Sequence, residues 1–209
     1  MTAFADRAEG GRRLADELVA RGVEADVVLA VPRGGLPVGR AVADRLGVPL
    51  DVVVARKIGA PTNPELAVGA VASDGTTWLN EAILDALGVD EDYLEAGVER
   101  ERAAAAEKLA RYRGDRPPLD LAGKRVVVVD DGVATGATIT ACLREVRNAG
   151  AARVVLAAPV GPPDVVDRLR READDVVVVS TPIAFGAVGQ FYRSFDQVTD
   201  EEAREYLRE

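Results

Sequence analysis

The chain has 209 residues, of which 48% are hydrophobic and 29% charged, and its 35 acidic and 26 basic residues leave a net charge of −9. This composition excludes a disordered chain, and the length suits one folded domain, residues 1–209, with a sizeable core. Histidine is absent and Cys142 is the single cysteine. These counts exclude a Ser-His-Asp triad, a zinc site of the usual kind and an internal disulfide.

The same counts bear on the location and the partners of the chain. No apolar run reaches the length of a membrane span, and the amino end lacks the charged-then-apolar pattern of a signal peptide. We therefore expect a cytoplasmic protein with no membrane contact. The acidic balance disfavours nucleic acid as a constitutive partner. Acidic excess, abundant alanine and only three lysines lead to the hypothesis of a halophilic protein in a salt-rich cytoplasm.

A strand–helix–strand unit opens the predicted fold. The pattern of apolar residues predicts a strand, a helix and a second strand at residues 27–31, 36–46 and 50–55. The first strand and the helix are joined by a Pro-Arg-Gly-Gly loop, residues 32–35. Its glycines, Gly34 and Gly35, permit unusual backbone angles, and Arg33 faces whatever binds above the sheet. A plain turn with a surface arginine is the alternative.

Two adjacent cations, Arg56 and Lys57, are predicted to end the second strand. Lysine is scarce in this chain, with three among the 26 basic residues. A pair of cations at the carboxyl end of a strand suits a polyphosphate whose charge grows as a bond breaks. A solvated, charged strand end is the alternative.

Residues 58–79 predict a loop followed by a hairpin. Glycine, proline and asparagine punctuate the beginning of this segment. Residues 67–73 and 76–79 then flank a turn at Asp74-Gly75, a dipeptide typical of tight hairpins. Trp78 is the only tryptophan, and we expect it to pack against the domain.

The stretch VVVVDDGVATGATI, residues 126–139, is the most informative in the chain. Its β-branched residues predict a buried parallel strand at residues 126–129, and residues 136–148 predict a helix with one apolar stripe. The loop between them therefore lies at the carboxyl end of a strand and the amino end of a helix. In an open α/β sheet, ligands bind at such places.

Each part of this loop has a chemical use. Asp130 and Asp131 only accept hydrogen bonds when ionised, which suits a pair of vicinal hydroxyls such as those of a ribose. Residues 135–138 offer backbone N–H groups at a helix start, where the dipole favours an anion, and the threonines add hydroxyl donors. Gly132 and Gly136 let the backbone approach a ligand closely. A simple strand–turn–helix with the aspartates as caps is the alternative.

The remaining elements complete an open sheet. Residues 91–113 predict a long helix rich in glutamate, arginine and alanine, typical of a solvated face or of an oligomer contact, which leaves a homodimer open. Residues 153–158 and 175–180 predict two further strands, with a helix opened by Pro162 and Pro163 between them. The order of elements implies an α/β fold in which a mostly parallel, twisted sheet has helices on both faces.

The stretch at 126–139 resembles the PRPP-binding motif of the type I phosphoribosyltransferases, where PRPP is 5-phosphoribosyl 1-pyrophosphate. That motif has four hydrophobic residues, two acidic residues and a loop ending in Thr-Gly-x-Thr, all of which are present here. The resemblance implies that Asp130 and Asp131 hold the ribose 2′- and 3′-hydroxyls. It also implies that residues 134–138 hold the 5′-phosphate.

Two further features refine the resemblance. Ala134 and Ala137 stand where the branch acting on 6-oxopurines usually carries Asp and Lys. The pattern is therefore more similar to the adenine and orotate branches, and it lacks an obvious general base in this loop. Two stretches, IGAPTNPELAVGAV and FGAVGQFYRSFDQVTDEE, are similar to the sequences of a subgroup of phosphoribosyltransferases whose acceptor is unassigned.

The resemblance also implies roles for the other segments around a core of about residues 22–180. The 32–35 loop corresponds to the pyrophosphate loop, often with a strained or cis peptide. The hairpin within 58–79 corresponds to a flexible cover that closes over the substrate and excludes water. Residues 181–209 supply, with the other chain end, a small hood that selects the acceptor base. Its Phe191 and Phe195 suit a core role or stacking on the base.

The predicted activity is transfer of 5-phosphoribose from PRPP to an unidentified nitrogenous base, with release of pyrophosphate. Arg33 and Lys57 are the catalytic candidates. Mg²⁺ is the expected cofactor, held through PRPP and so only indirectly by Asp130 and Asp131. The residues assigned to PRPP are Arg33, Gly34, Gly35, Arg56, Lys57, Asp130, Asp131, Gly132, Val133, Ala134, Thr135, Gly136, Ala137 and Thr138.

Two other functions stay open at this point. A non-catalytic, PRPP-sensing regulator of the same fold would keep the acidic pair but would need neither loop closure nor a base pocket. A hydrolase acting on ribose phosphates would need a carboxylate that activates water in the site. The acidic net charge disfavours a regulator that binds nucleic acid.

Overall fold

The computed structural model describes residues 3–208 of the chain. Its eight strands are β1 (Val27–Ala30), β2 (Leu50–Val52), β3 (Ala55–Ala60), β4 (Asn63–Ala72), β5 (Thr77–Leu79), β6 (Arg125–Val129), β7 (Arg153–Val160) and β8 (Asp175–Ser180). Its seven α-helices are α1 (Arg7–Ala20), α2 (Gly35–Leu46), α3 (Glu81–Leu87), α4 (Glu91–Arg113), α5 (Ala137–Asn148), α6 (Pro163–Leu169) and α7 (Asp200–Glu205), and a 3-10 helix spans Val188–Phe191.

A five-stranded parallel sheet forms the centre of the fold, in the order β2-β1-β6-β7-β8. Side chains alternate between its two faces because successive residues of a strand point in opposite directions. Val27 and Leu29 pack beneath α5 and α6 on one face, and Val28 and Ala30 pack beneath α1 and α2 on the other. Since both faces are covered, the strands are apolar without interruption, and the predicted α/β fold is confirmed.

A second, antiparallel sheet contains β3, β4 and β5. The β4–β5 pair is the predicted hairpin around Asp74-Gly75, and its pairing confirms that prediction. The prediction of one strand over residues 50–55 is wrong. The parallel strand ends at Val52, and Ala55 already belongs to the second sheet. The buried Val53 and Val54 cross between the sheets, and an unbroken apolar run cannot signal such a crossing.

Three short or terminal helices were absent from the sequence prediction. Helix α1 begins after Asp6, whose carboxylate accepts a hydrogen bond from the backbone N–H of Glu9 at 2.8 Å. Helix α3 begins at a similar cap, Asn80. Helix α7 begins with a capping box between Thr199 and Glu202. Each start carries the polar cap residue that favours a helix N-terminus.

The two ends of the described chain meet in a small aromatic cluster above the sheet. The backbone N–H of Phe4 donates to the carbonyl of Phe191 at 3.0 Å, and that of Arg193 donates to the carbonyl of Phe4 at 2.9 Å. Phe4 and Tyr192 lie with ring centroids 5.3 Å apart. This cluster lies in the segments for which the resemblance implies a hood, and we keep that name for it. Within residues 3–208, none of the helices combines the length and the apolar character needed to cross a membrane.

Candidate functional site

The acidic pair lies at the carboxyl end of β6, the middle strand of the parallel sheet. The side chain of Asp130 accepts the backbone N–H of Asp131 at 2.8 Å. Burial raises the pKa of Asp130 well above its ordinary value, and the charge of neighbouring Asp131 raises it further. Burial also raises the pKa of Asp131, against the opposing effect of Arg7. A ligand that supplies hydroxyl donors would compensate the cost of two buried carboxyls.

The 32–35 loop packs directly against this pair. A Cβ atom added at Gly34 would lie 2.0 Å from Oδ2 of Asp131, and one added at Gly35 would lie 2.9 Å from the carbonyl oxygen of Val129. The two sequence motifs, about a hundred residues apart, therefore touch. Gly34 has ordinary helical angles, φ −60° and ψ −32°. The expectation of unusual backbone angles is wrong at Gly34, because this glycine serves close approach instead. The peptide bond between Pro32 and Arg33 is cis, as the resemblance implied.

The loop that follows the acidic pair ends in the start of α5. Gly136 caps this helix with φ +78°, a left-handed conformation that favours glycine. No side chain caps the helix, while Ala134 and Thr135 are exposed and Thr138 is half-buried. The start of this 12-residue helix thus presents backbone N–H groups and hydroxyls toward an open side, an arrangement suited to a phosphate.

Two arginines that the sequence analysis does not identify lie near the phosphate loop, residues 134–138, and the acidic pair. Arg168 of α6 donates to the carbonyl oxygen of Thr135 at 2.7 Å, which adds a cation beside the helix start. Arg7 of α1 donates through Nε to Oδ2 of Asp131 at 2.7 Å. The polar cap that opens α1 was the signal available in the sequence, but only the fold brings these side chains to the site.

The guanidinium of Arg7 also lies 3.7 Å from the ring centroid of Phe195. Phe195 in turn stacks on Tyr192 with centroids 5.1 Å apart, and Phe191 is only 6% exposed. Both phenylalanines that were candidates for base stacking therefore have packing partners within the hood. The hydroxyl of Tyr192 donates to the carbonyl oxygen of Asp131 at 2.6 Å, so the hood is joined to the acidic pair.

The predicted cations Arg56 and Lys57 do not end a parallel strand, and this part of the prediction is wrong. They lie in β3, where successive side chains point to opposite faces. Lys57 pairs with Glu65 across the hairpin at 2.7 Å, and Arg56 pairs with Glu101 of α4 at 2.7 Å. Of the two, only Arg56 lines a cavity shared with Arg33.

That cavity, which we call the cationic cavity, has a volume of about 350 Å³. Helix α4 forms one wall of it, although the sequence predicted a solvated face or an oligomer contact there. Lys108 of this helix donates to the carbonyl oxygen of Pro32 at 3.1 Å. The residues lining the cavity are Arg33, Arg56, Ala104, Glu107, Lys108, Arg111, Tyr112 and Asp200.

Comparison with known proteins agrees with this architecture. Residues 3–195 match the family model described as "Phosphoribosyl transferase domain". Two Mycobacterium tuberculosis proteins, from strains CDC 1551 / Oshkosh and ATCC 25618 / H37Rv, are both named "Putative phosphoribosyl transferase". Each is 45% identical over 208 residues, which is 99% of this chain and 47% of the relative. The chain thus spans about half the length of the curated relatives it matches.

A solved structure shares nearly the whole fold. The crystal structure of TT1426 from Thermus thermophilus is 46% identical, with a TM-score of 0.84. The match covers 99% of this chain and 98% of that one. The likeness therefore includes the hood and the antiparallel sheet of β3, β4 and β5 as well as the parallel sheet.

Proposed function

The chain belongs to the phosphoribosyl transferase domain family, and we propose that it transfers 5-phosphoribose from PRPP to a nitrogenous acceptor. In this reaction the acceptor nitrogen bonds to C1′ and its proton passes to the solvent, while the C1′–oxygen bond breaks and its electron pair leaves with pyrophosphate. The observation that carries the proposal is the packing of the 32–35 loop on the acidic pair, which is so close that a Cβ atom added at Gly34 would clash with the carboxylate of Asp131. This contact joins a candidate leaving-group loop to a candidate ribose site.

The roles proposed for the residues follow from their chemistry. Asp130 and Asp131 accept the two ribose hydroxyls, and the start of α5 binds the 5′-phosphate through residues 134–138. Arg33 lies on the 32–35 loop and faces the cationic cavity, where it would stabilise the charge that develops on pyrophosphate. The other residues assigned to PRPP in the two loops let the backbone approach the ligand closely and shape the pocket around it.

Magnesium fits this site only as a partner of the ligand. Within residues 3–208, no group of three or more carboxylate, histidine or cysteine side chains is arranged to hold a metal ion. Two adjacent carboxyls, Asp130 and Asp131, lie where a ribose would bind. Mg²⁺ binds through a few carboxylates and substrate phosphates, so these residues would hold it through PRPP, where it would neutralise phosphate charge.

We also propose that residues 1–209 act as one unit in a salt-rich cytoplasm. Support for one unit comes from the site itself, which draws on α1, both sheets and the hood. Support for adaptation to salt comes from the net charge of −9, because salt screens self-repulsion. Urea unfolding at several KCl concentrations tests this, and full stability at low salt would count against it.

The test of the activity is pyrophosphate release from PRPP and Mg²⁺ in the presence of each of a panel of purine and pyrimidine bases, orotate included. Base-dependent release is the expected result, and the Asp130→Asn, Asp131→Asn double variant is the control. PRPP binding without turnover would instead support the sensing regulator. Pyrophosphate or ribose 5-phosphate formed at equal rates with and without any base would support the hydrolase.

A further inference from the structure

The cationic cavity adjoins the proposed ribose site but extends beyond it. The ammonium of Lys108 lies 3.1 Å from the carbonyl oxygen of Pro32, two residues from the glycine that contacts Asp131. Helix α4 thus brings a lysine to the back of the 32–35 loop. The cavity volume of about 350 Å³ falls within the range of roughly 300–1,000 Å³ found for ligand pockets.

The cationic cavity is lined by more positive than negative side chains. Arg56 pairs with Glu101, and Arg111 pairs with Glu107 at 3.0 Å. Lys108 has a carbonyl oxygen as its hydrogen-bond partner, not a carboxylate. Burial and the nearby charges of Arg56 and Arg33 lower the pKa of Lys108. Cations that are brought together in this way are stabilised by a bound anion.

A carboxylate of the protein itself, that of Asp200, lies among the donor groups of the cavity. Asp200, the first residue of α7, accepts the hydroxyl of Tyr112 at 2.8 Å. It also accepts Arg111 at 3.3 Å and lies 3.5 Å from Arg33. Three donors, two from α4 and one from the 32–35 loop, therefore converge on one internal carboxylate. Donors arranged like this match the several oxygens of a phosphate group.

We propose that Lys108 and Arg111 of α4 bind the diphosphate end of PRPP, and that Asp200 is an internal carboxylate which the diphosphate displaces. The proposal rests on the proposed function, since the 32–35 loop and the acidic pair set the position of the diphosphate. Lys108 takes the place beside the leaving group that the sequence assigned to Lys57. A diphosphate suits the cavity better than a base does, because its walls are mainly charged side chains rather than apolar ones.

The test is the affinity of inorganic pyrophosphate and of ribose 5-phosphate for matched lysine variants, measured by calorimetry on the full chain. The Lys108→Met variant should bind pyrophosphate about 10- to 100-fold more weakly, the effect of losing one charged hydrogen bond. Its affinity for ribose 5-phosphate, which lacks the diphosphate, should stay within about twofold. Lys124→Met, at an exposed position before β6, is the control and should match the wild type. Lys57→Met should lose less than Lys108→Met.

The carboxylate is tested by Asp200→Asn. Removing its charge removes a competitor for Arg33 and Arg111, so pyrophosphate should bind about 3- to 10-fold more tightly, a modest charge effect near the surface. Thermal unfolding of both variants shows whether the fold is kept. The second substitution keeps the test decisive if Lys108→Met destabilises the chain.

The outcomes separate this proposal from the proposed function. If ribose 5-phosphate binds normally while Lys108→Met leaves pyrophosphate affinity unchanged, the cavity is not the diphosphate site, although the transferase proposal stands. If Asp200→Asn weakens pyrophosphate binding, Asp200 is not displaced. If the wild type binds neither PRPP nor ribose 5-phosphate, the transferase proposal fails, and with it the assignment of the cavity to PRPP.

Discussion

Arg7 and Asp131 form an ion pair at 2.7 Å that joins the first helix to the acidic pair, 124 residues further along the chain. Their side chains are only 13% and 14% exposed. The guanidinium also donates to the carbonyl oxygen of Asp196 at 2.6 Å and covers the ring of Phe195. A single arginine thus fixes one of the proposed ribose ligands and the hood together.

We expect Arg7→Ala to lower the free energy of unfolding by about 3 kcal/mol, since removing one partner of a largely buried ion pair leaves an uncompensated charge. PRPP affinity should also fall, because Asp131 loses the contact that orients it. Urea unfolding and calorimetry measure the two effects. Arg21→Ala, which removes an exposed pair with Glu17 at the end of the same helix, should cost less than about 1 kcal/mol. Equal losses for both variants would contradict the special role of Arg7.

Asp130→Asn should separate binding from stability. The change removes an acceptor for a ribose hydroxyl, so PRPP should bind more weakly by about 1.5–3 kcal/mol, the range for a charged hydrogen bond. Because burial raises the pKa of Asp130, its ionised form destabilises the native state at high pH. The variant should therefore be at least as stable as the wild type at about pH 8, well above the ordinary pKa of an aspartate. A stable variant with wild-type PRPP affinity would remove Asp130 from the ribose site.

Gly34→Ala should damage the site without straining the backbone, since Gly34 has ordinary helical angles. The added Cβ would lie 2.0 Å from Oδ2 of Asp131, so either the 32–35 loop or the carboxylate must move. We expect loss of measurable PRPP binding. Gly186→Ala is the control, because the contact nearest to its added Cβ is the flexible side chain of Gln190 at 3.0 Å. Retained PRPP binding in Gly34→Ala would show that the loop contact is dispensable.

Glu145 on α5 should make stability depend on pH. Burial raises the pKa of Glu145 to about 7 from an ordinary 4.5, although Ser73 donates to its carboxylate at 2.7 Å. The native state therefore keeps a proton that the unfolded chain releases at lower pH. This contribution to stability is complete below about pH 4.5 and is lost as the pH rises through 7.

The Glu145→Gln variant, which cannot ionise but can still accept the Ser73 hydroxyl, should match the wild type at about pH 5. At about pH 8 it should be more stable by about 1–3 kcal/mol, the energy of a shift of this size. Urea unfolding at the two pH values measures the difference. A constant difference between the two proteins across this range would show that Glu145 does not titrate with a raised pKa.

The sequence predicted those parts of the fold whose signals are local. The predicted limits of α4, residues 91–113, agree with the structure, in which Asp90 and Gly114 cap its two ends. Helix α1 was missed although it has an apolar stripe, because Gly10 and Gly11 lower helix propensity. Gly11 is required by close packing, as an added Cβ would lie 2.9 Å from Ala41 of α2, and such tertiary needs override propensity.

The candidate site, too, was predicted only where its signals are local in the sequence. The acidic pair and the two glycine loops were predicted because their chemistry is contiguous in sequence. Arg7 and Lys108 were not, since each lies on a helix whose sequence gives no sign of what it faces. The sequence points to Lys57 because this residue follows an apolar run. The chain changes sheets at Val53 and Val54, however, and Lys57 pairs with Glu65 instead.

Because Phe4 packs on Tyr192, the residues around Phe4 can reach their final packing only after residue 192 has been made. Chains begin to fold while they emerge from the ribosome, and β1, β2, β6, β7 and β8 are all made before Tyr192. Two contacts of the site depend on residues made after β8. Phe195 is the aromatic partner of Arg7, and the hydroxyl of Tyr192 donates to the carbonyl oxygen of Asp131. A nascent chain halted after β8 would therefore lack the contacts of Tyr192 and Phe195 that complete the proposed ribose site.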